Sequence, residues 1–179
     1  MKLIFESNAF FSIIAGSVVL LASSGASAQD LDVDGRLDKA YPGPTVVQDT
    51  NTMFGDNDDP DVLAANGSEL DVLHVYTTSS AVYVFLGGNL ESNFNKLELF
   101  IDAGSGGQNV VRYDNADVDF NALGRMGGNE FVGGALIFDE GFDADFYVTC
   151  NLGGDPVAIY GSAAQLLTEG GGSGVYLGS

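Results

Sequence analysis

The run FGDNDDPD carries Asp56, Asn57, Asp58, Asp59 and Asp61, oxygen-bearing side chains on a short segment rich in turn formers. Calcium takes about 6–8 oxygen ligands from flexible segments of this kind, so Asp56, Asp58, Asp59 and Asp61 are the metal-ligand candidates and calcium the candidate cofactor. A solvated acidic loop is the competing reading of the same residues. YDNADVDF, with Asp114, Asp117 and Asp119, and FDEGFDAD, with Asp139, Glu140, Asp143 and Asp145, are weaker versions of the pattern. Nearer the start, Asp30, Asp32 and Asp34 precede Gly35 at the spacing of a helix-loop-helix calcium loop, but Tyr41 stands where that loop needs a bidentate acid. The alternation of Leu31 and Val33 fits a strand better, followed by a short turn through Leu37, Ala40 and Tyr41 that Asp34 caps.

Catalytic chemistry finds little support. The single histidine, His74, lies between Leu73 and Val75 in an alternating stretch, where a packed or edge histidine is the ordinary outcome. Neither a Gly-x-Ser-x-Gly elbow nor a His-Glu-x-x-His pair is present, and GSGG at 104–107 lacks the Lys-Ser/Thr end of a phosphate loop. With 25 acidic residues, carboxylate pairs at glycosidase spacing arise by chance. The chain therefore reads as no enzyme. Asn66-Gly67-Ser68 fits a glycosylation acceptor, relevant only in a eukaryotic secretory route.

The elements that must position these residues belong to an exported chain. Lys2 precedes the apolar run 9–22, and the small residues Ala26-Ser27-Ala28 close it, so 1–28 reads as a signal peptide. That run is too short to span a bilayer, and no later segment approaches the roughly 20 apolar residues a spanning helix needs, so no membrane insertion follows cleavage. Removing the signal leaves about 150 residues, enough for one domain with its own core. The expected location is extracellular or at the cell surface, with the periplasm the other possibility. Cleavage takes one Lys and one Glu, leaving the formal charge of −19 unchanged. A surface so acidic should not bind nucleic acid or anionic lipid through charge, and its self-repulsion calls for screening salt or bound cations. The one cysteine, Cys150, excludes an internal disulfide framework; it reads as a small core residue or as a partner for a thiol elsewhere.

Apolar residues alternate or run in short blocks between Gly, Asn and Asp clusters, which is the pattern of an all-β protein. Strands are expected at 31–34, 44–48, 70–77, 81–86, 96–102, 109–113, 135–138 and 145–150, and a short helix at 163–169 behind Ser162. Thr78-Ser79-Ser80 suits a hairpin between the third and fourth. In the fourth, Val82, Val84 and Leu86 oppose Tyr83 and Phe85, so both faces are apolar and the strand should be central. In the fifth, Leu97, Leu99 and Ile101 share a dry face. The expected architecture is an antiparallel two-sheet β-sandwich, jelly-roll-like, over 29–169. The glycine tract and the broken-off apolar pattern of 170–179 read as a tail, or as the start of a continuation that would complete the sandwich.

VDGRLDKAY, followed by AVYVFLGGNL and KLELFIDAG, resembles the opening strands of family 9 carbohydrate-binding modules and related exported sandwich domains. FDEGFDADFYV is similar to a stretch of uncharacterised exported bacterial proteins, some of which end in a Pro-Glu-Pro sorting segment that this chain lacks. The resemblance implies a sandwich that binds polysaccharide or a surface glycan without transforming it. Sugar recognition in those modules rests on paired tryptophans, and this chain has none; its seven Tyr and twelve Phe can stack on sugars, but none matches the positions of that pair. Sugar binding then predicts an exposed Tyr or Phe beside polar side chains on a sheet face or loop rim. The alternative class is an acidic, calcium-stabilised structural or adhesive surface protein, with its acids spread evenly outside.

Overall fold

A computed structural model describes residues 2–4, 31–48, 68–78, 81–128 and 134–178. Among the described residues the chain is all-β with one short helix, and the strands form two antiparallel sheets. It divides into two compact units, Met1–Asn89 and Leu90–Ser179. The aspartates Asp56, Asp58, Asp59 and Asp61, and all of the predicted signal except 2–4, lie outside the described residues. Among the described residues no helix is long and apolar enough to cross a membrane.

The first unit holds β1 (Lys2–Ile4), β2 (Val46–Val47), β3 (Glu69–Thr77) and β4 (Val82–Asn89), in the order β1-β4-β3-β2. The β3–β4 hairpin closes where Thr78 N–H donates to Ala81 O at 2.8 Å and Thr78 Oγ1 accepts Ala81 N–H at 3.0 Å. Its register pairs His74 with Phe85 and Tyr76 with Tyr83, placing four rings on one face, where Tyr41 and Leu31 join them. Tyr83 and Val84 are both buried although they point to opposite faces, while Val82 is 41% exposed, so the two-sided apolar reading holds at Val84 only; β4 is an inner strand through its pairing with β1, whose residues fall within the predicted signal. A bulge at Leu70/Val72 faces Gly87 and Gly88; a Cβ on Gly88 would strike the Glu69 backbone, so the irregularity requires glycine there.

The strand expected at 31–34 does not form. Asp34 Oδ1 accepts the Arg36 N–H at 2.9 Å and Gly35 has φ 77°, so a side-chain-closed turn displaces the extended pairing. The turn that delivers Tyr41 to the core is closed by Asp38, which accepts Ala40 N–H at 3.1 Å, rather than by Asp34.

The second unit holds β5 (Lys96–Ile101), α1 (Ala122–Met126), β6 (Phe146–Gly153), β7 (Ala158–Gln165) and β8 (Gly174–Gly178), with sheet order β5-β6-β7-β8. Its core gathers Val111, Val118, Leu123, Ala144, Tyr147, Ala164 and Leu166, flanked by Phe100, Phe138 and Phe142. The segments 109–113 and 135–138 contribute only isolated bridges, such as Val110 to Ile137, and no strand. Competing partners explain why: Phe138 N–H donates to Asn109 O and Val111 N–H to Leu136 O, but the Leu136 N–H turns to the Met126 carbonyl, the Val111 carbonyl accepts from Gly128 N–H, and Asn109 Nδ2 reaches the Phe138 carbonyl at 3.3 Å. Gln108 and Asn115, both buried, satisfy each other and the Arg112 backbone beneath this segment.

The helix expected at 163–169 is also replaced. Ser162, Ala164 and Leu166 are buried while Ala163, Gln165 and Leu167 are not, a period of two. Pairing with β6 and β8 outweighs the helix propensity of Ala, Gln and Leu, a fraction of a kcal/mol per residue. The apolar pattern near the chain's end is strand β8, an edge strand whose residues are exposed.

Cys150 is 2% exposed in β6, and burial pushes its thiol pKa up. Such a thiol is a poor nucleophile. In native protein it should resist a thiol reagent that modifies it stoichiometrically in denaturant; rapid native labelling would contradict this placement of β6.

Candidate functional site

Antiparallel register arranges one face of the second sheet in cross-strand rows. Phe100, Tyr147, Ala164 and Gly174 form the first; Glu98, Thr149, Ser162 and Tyr176 the second; Lys96, Asn151 and Tyr160 the third. The face therefore passes from dry to polar along the strands. The segment leading into α1 covers the dry end: Val118 is buried against Gly174, where any Cβ would collide with the Val118 side chain.

Over the polar end the chain makes an uncommon turn. Asp119, Phe120 and Asn121 have φ of 49°, 55° and 60°, a left-handed run of three non-glycine residues. Each costs on the order of 1 kcal/mol or more, so the surroundings must hold the turn in place. They do so at three points. The Asp119 carboxylate, almost fully buried, forms an ion pair with Lys96 and accepts from Asn151 Nδ2 at 3.1 Å, both from the third row. Arg125 Nη1 donates to the Phe120 carbonyl at 2.6 Å. Ala122 N–H donates to the Val118 and Asp119 carbonyls at the start of α1.

The product of this anchoring is a phenyl ring held in water: Phe120 is 89% exposed. Beside it lies a cleft of about 350 Å³, lined by Asp117, Asp119, Phe120, Tyr160, Ser162 and Tyr176 among others. Tyr176 is 56% exposed. The cleft thus offers apolar ring faces beside a carboxylate and a hydroxyl, a set that can stack on one side of a ligand and hydrogen-bond its edge.

The remaining predicted acids have other tasks. Asp114 is bound by Arg112 through Nε at 2.9 Å and Nη2 at 2.7 Å, and these hydrogen bonds hold its carboxyl below the usual range. Asp145 Oδ2 accepts the Ala103 and Gly104 N–H groups at 2.7 and 2.9 Å, and Asp102 Oδ2 accepts that of Asp143 at 3.2 Å. Of the YDNADVDF acids, the structure brings Asp117 and Asp119 to the cleft and separates Asp114 from it. Among the described residues no group of three or more His, Cys, Asp or Glu is placed to hold a metal ion. His74 is 6% exposed, edge-on to Tyr41 and Phe85 at 6.0 Å each, with Nδ1 3.1 Å from the Pro42 carbonyl oxygen, the surroundings of a packed histidine.

Sequence reasoning missed Phe120, Tyr160 and Tyr176 as a set. One signal was available: Asp119 and Asn121 flank Phe120, and Asp and Asn are among the residues that most readily enter the left-handed region. Comparison of the chain with protein-family models, curated proteins and solved structures found no match.

Proposed function

We propose that the chain is an exported, non-catalytic binding module and that the cleft beside Phe120 holds a glycan. One observation carries this reading: a strained turn, tied down by Lys96, Asn151 and Arg125, keeps a phenylalanine almost wholly in solvent next to Tyr176, Asp117 and Ser162. An isolated exposed Phe needs no explanation, but one displayed at the cost of left-handed backbone implies a use for the ring. Pyranose rings present apolar C–H faces and polar edges, which match ring platforms rimmed by a carboxylate and a hydroxyl. The resemblance of AVYVFLGGNL and KLELFIDAG, both strands here, to carbohydrate-binding modules adds to this reading, although no Phe or Tyr stands at a matched position of the absent tryptophans.

Affinity electrophoresis against soluble polysaccharides tests it. Wild-type protein should be retarded by at least one neutral polysaccharide, and Phe120→Ala should lose about tenfold or more in affinity while its unfolding midpoint stays level or rises. Equal retardation of wild type and Phe120→Ala would remove the cleft from the account.

A further inference from the structure

From the second unit's aromatic residues, and resting on the glycan reading above, we propose that the site is elongated and binds the interior of a sugar chain, with Phe94 as a second platform. Among the described residues only four non-glycines have positive φ: Asp119, Phe120 and Asn121 of the cleft turn, and Phe94, at 66°. Phe94 is again a large apolar side chain left mostly in water, 55% exposed.

Its surroundings hold it as deliberately as those of Phe120. Phe94 N–H donates to the Leu152 carbonyl at 2.8 Å. On either side, Asn93 Oδ1 accepts the Asn95 N–H at 2.9 Å, while Glu91 Oε2 accepts from the amides of Asn93 and Asn95 at 2.9 and 3.1 Å. Gly153 lies under the ring, which occupies the space a Cβ would need. The ring also meets Tyr160 at 6.3 Å between centroids and 35° between planes. Tyr160 in turn lines the cleft with Phe120 and Tyr176.

The sheet register sets the length of this line. Tyr176 is in the second row, Tyr160 in the third, and Gly153, beneath Phe94, one pleat repeat further along the same face. Along the strand direction four residues, about 13 Å, separate the ends, which also lie two strands apart, on β6 and β8. That is longer than one pyranose ring, so a single sugar at Phe120 would leave the Phe94 end uncovered. Successive sugars of an extended chain would cover both platforms.

Calorimetric titration with two neutral series, glucose and N-acetylglucosamine with their β-linked oligomers up to the hexamer, tests this. In the series that binds, affinity should rise about tenfold or more from the shortest ligand to a plateau as the second platform is engaged. Phe94→Ala should remove that gain for long oligomers and leave the affinity for the shortest unchanged, whereas Phe120→Ala should weaken every length. Length-independent affinity, or a Phe94→Ala loss that is the same at every length, would overturn the elongated site and leave the glycan reading standing. Failure of every ligand in both series to bind wild type would overturn both.

Discussion

Tyr147→Ala is expected to destabilise the chain by about 3–5 kcal/mol, the largest loss of any single substitution considered. Tyr147 is fully buried in β6, its ring 5.1 Å from that of Phe100, within the cluster that includes Leu123, Val111 and Leu166. Truncation would open a cavity against both the sheet and the segment covering it. Its hydroxyl donates to Glu98 Oε1 at 2.9 Å, so Tyr147→Phe should cost only about 1 kcal/mol at neutral pH. The two variants separate at high pH. Burial, with the Glu98 charge adding to it, raises the phenol pKa above the ordinary value of 10.0. A raised native pKa means that the native state holds its proton more tightly than the unfolded chain does. Stability from this group is complete below pH 10 and falls as pH rises above it. Urea unfolding as a function of pH should show that alkaline decline in wild type and a shallower one in Tyr147→Phe. A Tyr147→Ala loss below about 1 kcal/mol would mean that the ring is not packed as described.

Lys96→Met should cost about 2–4 kcal/mol and, if the cleft holds a glycan as proposed, also abolish that binding. The Asp119 carboxylate is 5% exposed, and Lys96 is its one cationic partner among the described residues. Without Lys96, a nearly buried charge keeps only the Asn151 amide. The turn would then open to hydrate the carboxylate, releasing Phe120 from its position. Adding Asp119→Asn to Lys96→Met removes the stranded charge and should recover more than half of the lost stability, since replacing both partners of a buried pair is far milder than removing one. If single and double variants are equally stable and both bind like wild type, the ion pair is not what holds the turn.

Most of the sheet framework was legible because alternation survives in strands with one dry face. The segments 70–77, 81–86, 96–102 and 145–150 each coincide with an observed strand to within a few residues. What failed were the places where side chains compete with the backbone or pairing outweighs propensity. Asp34 closes a turn where Leu31 and Val33 suggested a strand; at 109–113 the Val111 carbonyl and the facing Leu136 N–H, which would extend the ladder, pair with Gly128 and Met126 instead. At 163–165, helix-forming residues yield to β6 on one side and β8 on the other. The cleft was less legible still. Lys96, Phe120, Asn151, Tyr160 and Tyr176 meet only through the register of four strands, and no local spacing encodes that meeting. The expectation of an exposed aromatic beside polar groups named no residue; in the fold Phe120 and Tyr176 are the exposed rings at the cleft.

Backbone amide NMR of the labelled chain, titrated with the best-binding oligosaccharide, addresses the central claim most directly. The glycan reading predicts saturable shifts concentrated at 117–121, 160–162 and 174–176, with lesser ones reaching Phe94. Shifts confined to the ring cluster of Tyr41, Tyr76 and Phe85 in the first unit, or no saturable shifts from any glycan, would contradict it.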